Sequence, residues 1–154
     1  MTETPEPSAA DQLNAGLATL IPRAHQMGVR FVELRPGNVR AEVPFEGNGN
    51  HFGVIYAGVI FTVAEVLGGA IHFATFDVST HYPLVRSLTI DFLKPGTGKL
   101  VASASMTDHE VARITVAAQP GAKVAFVVET EVVGEDGAVV AKTRGDYQLR
   151  PYGA

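Results

Sequence analysis

The stretch from Val54 to Phe76 limits what this chain can fold into more than any other, because it is predominantly apolar and its only formally charged side chain is Glu65. By length alone it would span a bilayer. Against that, a carboxylate near the middle of a span costs about 2.5–3.5 kcal/mol on insertion scales. Gly58, Gly68, Gly69 and His72 also interrupt the apolar surface, and neither flank carries a basic cluster. The expectation is a long helix buried inside a soluble fold, with no membrane span. A helix that is apolar on nearly all sides must be surrounded by apolar partners.

The rest of the chain can supply them. Met1 to Ala10 is acidic and proline-bearing where a secretory signal would be basic and then apolar, so residues 1–10 read as a tail and 11–154 as one domain. Ser8, with Asp11 three residues on, predicts a cap for a helix from about Ala9 to Leu20, with Leu13, Leu17 and Leu20 on one face and Pro22 closing it. Gly28–Leu34 and Asn38–Phe45 flank the turn signal Pro36-Gly37-Asn38 and read as a hairpin, although alternation in the first is imperfect. Glu46–Gly53 is a Gly/Asn-rich loop leading into the apolar segment. Beyond that segment, Leu84–Leu93 stops at Pro95-Gly96-Thr97-Gly98 and Lys99–Met106 follows as its expected partner. Val124–Val133 and Ala138–Leu149 flank Glu135-Asp136-Gly137, a second hairpin turn. Thr107 to Glu110 has the form of a capping box opening a short helix through Ala118, with a strand as the alternative because Thr115 and Val116 are poor helix formers. The fold class is therefore α+β: a strongly curved antiparallel sheet of six strands wrapped around a long central helix, which is the hotdog arrangement.

Composition removes several functions. With no cysteine in 154 residues, disulfides, thiolate metal sites and cysteine nucleophiles are excluded, in keeping with a reducing, cytoplasmic setting. A net charge of −4 with no basic run gives no footprint for nucleic acid. No His and carboxylate cluster stands at ligand spacing, so no metal is expected.

What remains is Asn50-His51-Phe52-Gly53-Val54-Ile55-Tyr56-Ala57-Gly58, followed by Phe61 and Glu65. Gly58 falls near the helix start, where backbone N–H groups lack intrahelical partners and can hold a developing oxyanion. Glu65 follows two turns later on nearly the same face, about 10 Å along the axis. Such a carboxylate can attack a thioester carbonyl or activate water beside it, and the Asn50 amide can orient that water or the carbonyl. The plainer readings are a Glu65 held by a cation, turn roles for Asn48, Gly49 and Asn50, and a structural or exposed His51. His72 and His81 carry no spacing signal, and His109 reads as an exposed residue at a helix start.

This run resembles the hotdog thioesterases, especially their PaaI-like branch and a related group of uncharacterised hotdog domains. Their pattern is Asn or Gln, then His-Gly-Gly, then a helix bearing Asp or Glu. Here Asn50 and Glu65 match, and Tyr56-Ala57-Gly58 stands in place of His-Gly-Gly. The resemblance covers roughly Met27 to Gln148. It implies hydrolysis of an acyl-CoA or acyl-carrier-protein thioester with no cofactor. Glu65 would be nucleophile or general base, Ala57 and Gly58 oxyanion donors, and Asn50 a positioning residue. His51, Phe52, Gly53, Tyr56 and Phe61 would line the substrate. It also implies a homodimer, or a dimer of dimers, with Asn50 and Glu65 of one site drawn from different chains. Two alternatives stay open. Hotdog dehydratases carry His-Phe-Pro and Pro-Gly-Val before a helical Glu, and His51-Phe52, Gly58-Val59 and Glu65 fall at similar spacing, although Gly53 and Ala57 replace the prolines. The altered Tyr56-Ala57-Gly58 motif would also suit a non-catalytic acyl or lipid binder.

Overall fold

The computed structural model describes residues 4–153. Ser8 caps α1 (Ala9–Leu20): its hydroxyl accepts from Asp11 N–H, and the Asp11 carboxylate reaches back to Ser8 N–H. Met1 to Glu3 of the expected tail lie outside the described residues. Only Leu17 of the expected leucine face is fully buried, and Leu20 is 65% exposed. Pro22 ends α1 and also opens a short α2 (Pro22–Gln26), because a proline at the first helical position gives up an N–H that would have no partner there.

The hairpin β1 (Arg30–Arg35) and β2 (Asn38–Val43) forms as expected. The imperfect alternation of its first strand has a physical cause, since the register shifts between Phe31 and Glu33 and Val32 is the extra residue of a bulge. Asn14 of α1 binds both backbone groups of Phe31 beside the bulge, at 2.7 Å each. The chain then enters the long helix α3 (Ala57–Thr75), followed by β3 (His81–Phe92), β4 (Leu100–Ser105), α4 (Asp108–Ala117), β5 (Val124–Val133) and β6 (Val139–Pro151). Thr107 caps α4, although Glu110 turns to Arg113 instead of closing the box.

All six strands form one antiparallel sheet in the order β1-β2-β4-β5-β6-β3. The expected pairing of the third strand with the fourth is wrong. β3 runs along β6 from His81↔Pro151 to Phe92↔Ala141, and β4 lies between β2 and β5. Pro95-Gly96-Thr97-Gly98 is a crossing loop, not a hairpin turn. Leu93 and Lys94 N–H still donate to Val140 O of β6, and Gly96 O accepts from Ile55 N–H on the other side of the loop. β3 is therefore an edge strand, which tolerates Pro83 near its start. It leaves Leu84, Val85 and Phe92 exposed.

The sheet wraps α3 and buries Val59, Ile60, Val63, Ala64, Val66, Leu67, Gly68, Ala70, Ile71 and His72. This packing occupies the apolar surface that made the segment long and greasy enough for a membrane. A stripe at four-residue spacing escapes it, with Ala57, Phe61 and Gly69 exposed and Glu65 half-buried; Gly58, Thr62 and the last turn from Phe73 to Thr75 are also only partly covered.

Candidate active site

Backbone bonds from two directions fix the start of α3. Ile55 N–H donates to Gly96 O at 2.8 Å and Tyr56 N–H to Asn48 O at 2.9 Å. Asn48 is itself buried, its amide donating to Met27 O and Pro44 O at 2.7 and 2.8 Å. Sequence reading assigned Asn48 a turn role, but it ties the mouth of the helix to the α2–β1 corner. Tyr56 is the N-cap and makes no side-chain cap bond; Val59 N–H donates to Tyr56 O. Among the described residues, Ala57 and Gly58 N–H have no partner, so both expected donors are unused at the positive end of a helix dipole. The half-exposed Tyr56 ring lies over Gly58, close enough that a β-carbon there would stand 2.9 Å from Tyr56 Cζ.

Glu65 sits two turns further along the exposed stripe. Among the described residues its carboxylate has no ion-pair or hydrogen-bond partner, so the expectation of a cation holding it is not met. Burial raises its pKa above the ordinary carboxylate value, as desolvation disfavours the charged form. Behind it, Tyr147 of β6 donates from its hydroxyl to Glu65 O at 3.0 Å. The Tyr147 ring is slotted between Gly68 of α3 and Gly145 of its own strand and stacks on Phe126, with centroids 5.5 Å apart. Local sequence reading missed this residue because its partner is 82 positions away.

Asn50 organises its own loop. Its side-chain oxygen accepts from Phe52 N–H at 3.0 Å and Val54 N–H at 3.4 Å, an Asx turn that leaves the NH₂ end without a protein partner among the described residues. Asn50 and Tyr56 line a cavity of about 390 Å³ with Met27 and Val59. Glu65 is not in its walls, so a single chain does not bring Asn50 and Glu65 to one cavity. His51 and Phe52 are exposed and lie ring against ring at 4.0 Å, next to Gly53 in the left-handed region at φ 77°. Phe61 stands on the stripe, 38% exposed.

Two histidines set aside in the sequence prove to be buried. His81 is satisfied by Thr80 and Ala122 O. His72 Nε2 has no partner. Among the described residues no group of His, Cys, Asp and Glu is placed to hold a metal ion.

A family model described as Domain of unknown function (DUF4442) matches residues 10–149. The 1.5 Å structure of a protein of unknown function from Pseudomonas aeruginosa, called a probable thioesterase, is 35% identical, with a TM-score of 0.82 over 92% of this chain and 95% of that one. A thioesterase from Haemophilus influenzae shares the fold at 15% identity and TM-score 0.74, over 94% of this chain and 92% of that one. So does a mutant thioesterase from Pseudomonas aeruginosa, at 20% identity and TM-score 0.74 over 97% of both chains. No curated protein matches the chain.

Proposed function

The chain belongs to the DUF4442 family within the hotdog-fold thioesterase superfamily, and on that premise we propose that it hydrolyses acyl thioesters, of coenzyme A or of an acyl-carrier protein, with Glu65 as the reacting carboxylate. The observation that carries this reading is the state of Glu65. It is a half-buried carboxylate on a mostly apolar helix, without a cation among the described residues and with a raised pKa, on a stripe of α3 that its own sheet leaves uncovered. A structural carboxylate would have a partner. A base or nucleophile needs an open approach and a pKa nearer the working pH.

Distance supports a homodimer. Within one chain, Glu65 and the free Ala57 and Gly58 N–H groups lie about 10 Å apart along the helix, whereas base and oxyanion donors must each come within about 3 Å of the same reacting centre. Two copies of α3 packed antiparallel along their bare stripes, crossing between Gly58 and Glu65, would put Glu65 of one against the helix start of the other. The β3 edge suits such a pairing, being long, unpaired and lined by exposed Leu84, Val85 and Phe92. In that assembly the free Asn50 NH₂ can orient the carbonyl or the water. Glu65 then either attacks the carbonyl carbon and expels the thiolate, leaving an acyl-enzyme for water to cleave, or takes a proton from a water that attacks directly. Both routes give a carboxylic acid and a free thiol.

A panel of acyl-CoA thioesters assayed by thiol release tests this. Turnover should be lost in Glu65→Gln while the fold is kept. Absence of thiol from every ester, or an equally active Glu65→Gln, defeats the proposal; hydration of an enoyl-CoA that depends on His51 would replace it with the dehydratase.

A further inference from the structure

Phe52 is 77% exposed, more than any other large apolar side chain among the described residues, yet its backbone is tightly held. Its N–H donates to Asn50 Oδ1 at 3.0 Å, Gly53 N–H to Asn50 O at 3.0 Å and Asn50 N–H to Val54 O at 2.8 Å. The His51 ring lies against that of Phe52. An aromatic fixed in this way in water is already ordered for a partner, and docking it would cost little conformational freedom. A second apolar feature without a partner lies one turn beyond Glu65. Gly69 and Ala70 of α3 form the wall of an open cleft of about 300 Å³, rimmed by Leu20, Ile21, Val78 and Tyr152, all four exposed. A contiguous apolar patch of this kind marks a surface that another surface covers. The space suffices for an aromatic ring, since a cavity of about 150 Å³ already takes benzene.

We infer that Phe52 of each protomer anchors in this cleft of a second copy of the chain; the inference rests on the shared-site homodimer proposed above. In that dimer Gly58 of one α3 stands opposite Glu65 of the other, so the chain entering one helix runs beside the later turns of its partner. From Val66 to Phe73 the helix advances about 10 Å at ~1.5 Å per residue. The five residues from Phe52 to Ala57 span at most about 17 Å, so the Phe52 turn reaches the cleft even though it folds back at Gly53. Area argues the same way. Where the helix stripes meet, Ala57, Gly58 and Gly69 offer little surface, whereas stable dimers bury about 1,200–2,000 Å² in total. A docked aromatic buries about 150–250 Å², and two-fold symmetry doubles that. A free acyl chain in so open a cleft would keep one side in water, whereas Phe52 brings His51 and its own turn as a cover. Asn50 holds Phe52 N–H, so the anchor also fixes the Asn50 amide that one protomer lends to the Glu65 of the other.

The chain has no cysteine, so introduced thiols report on this contact without background. On mild oxidation, Phe52→Cys/Val78→Cys and Phe52→Cys/Leu20→Cys should each give a covalent dimer on a non-reducing gel. Phe52→Cys/Ser103→Cys should not, because Ser103 lies on the face of β4 turned away from α3. In sedimentation equilibrium, Phe52→Ala should raise the dimer dissociation constant about a hundredfold, two anchors at about tenfold each, with Phe52→Leu in between. Val78→Asp should weaken the dimer as well, and combined with Phe52→Ala by less than the two effects multiplied. A monomeric native protein, a dimer indifferent to Phe52→Ala, strict multiplication in the double variant, or no cross-link in either cleft pair overturns the inference. So does a Val78→Asp protein that keeps its dimer and loses only long-chain esters, which would give the cleft to the acyl chain. None of the interface readouts needs turnover. If the anchor is found but no thioester releases thiol, the interface stands and the hydrolase reading falls. If thiol is released by a dimer that ignores Phe52, only this inference falls.

Discussion

Gly68 and Gly69 are neighbours on one helix, yet replacing each by alanine should move stability in opposite directions. In a helix interior, Gly→Ala ordinarily gains about 0.5–1 kcal/mol. At Gly69 nothing within the protomer opposes this gain, because the new methyl group meets no atom of its own chain within 4 Å. At Gly68 the β-carbon would stand 2.7 Å from Tyr147 Cδ1 and nearer still to Cε1 and Cζ. Relaxed carbon atoms keep about 3.5–4.0 Å apart, so ring or helix must move by more than about 1 Å. Tyr147 has little freedom to retreat: it is 3% exposed, packed against Gly145 on its other side and bonded through its hydroxyl to Glu65 O. Overpacking of this kind costs about 1–3 kcal/mol, occasionally more, and displacing the aromatic altogether costs about 3–5 kcal/mol. Subtracting the helix gain leaves Gly68→Ala about 2–3 kcal/mol less stable than the native protein.

At this chain length 1 kcal/mol shifts Tm by roughly 2–4 °C. Thermal unfolding, with urea titration beside it, should show Gly68→Ala down by about 4–12 °C and Gly69→Ala up by about 1–4 °C. Because the cost at Gly68 is a contact with one named ring, Gly68→Ala combined with Tyr147→Leu should be less damaging than the two single effects added, by at least about 1 kcal/mol. A Gly68→Ala protein as stable as the native one, or strict additivity with Tyr147→Leu, would refute the account of Tyr147 as the ring that seats this turn of α3.

Glu65→Gln should lower kcat by about 10²–10⁴-fold without loss of stability at neutral pH. The folded pKa of Glu65 is raised, so its favourable contribution is present below the unfolded value and is lost as pH rises through the folded one; chemical denaturation of the variant should lack that loss. For the same reason the acid limb of the native kcat/KM profile should lie above 4.5, the ordinary glutamate value. His72 has the opposite sign, because its pKa of about 4 lies below that of the unfolded chain. The native protein should lose stability as pH falls from about 6.5 to about 4, and His72→Leu should escape a loss on the order of 2 kcal/mol, read from urea midpoints across that range. Val85→Lys on the β3 edge should yield a monomer by light scattering and abolish turnover, whereas a monomer with full activity would remove the shared site.

What could be read from the sequence divides along the range of the interactions involved. Ser8 with Asp11, Gly37 at the first hairpin and Gly137 at the second are features in which a few adjacent residues carry both the conformational demand and its answer, and each forms where it was expected. The long helix was legible because its run is long and predominantly apolar, and Glu65 stood out as the one formal charge on it. The pairing of β3 with β6 instead of β4 was not legible. The signal at Pro95-Gly96-Thr97-Gly98 states that the chain turns, while the strand it then joins depends on Val140 and Ile55, distant in sequence. The candidate site divides the same way. Residue type and spacing pointed to Asn50, Gly58 and Glu65, and the family resemblance added Ala57, but whether Glu65 is paired or free is decided by what the sheet brings to it; among the described residues the sheet brings a tyrosine hydroxyl to its backbone and nothing to its carboxylate. His72 is the clearest instance. As one polar residue on an apolar helix it has no spacing partner, and only the packing of the fold shows that it is 4% exposed, with Nε2 unbonded among the described residues. Short-range chemistry therefore marked the proposed reacting turn of α3, whereas the groups that hold that turn in place, Tyr147 foremost, are long-range products of the fold.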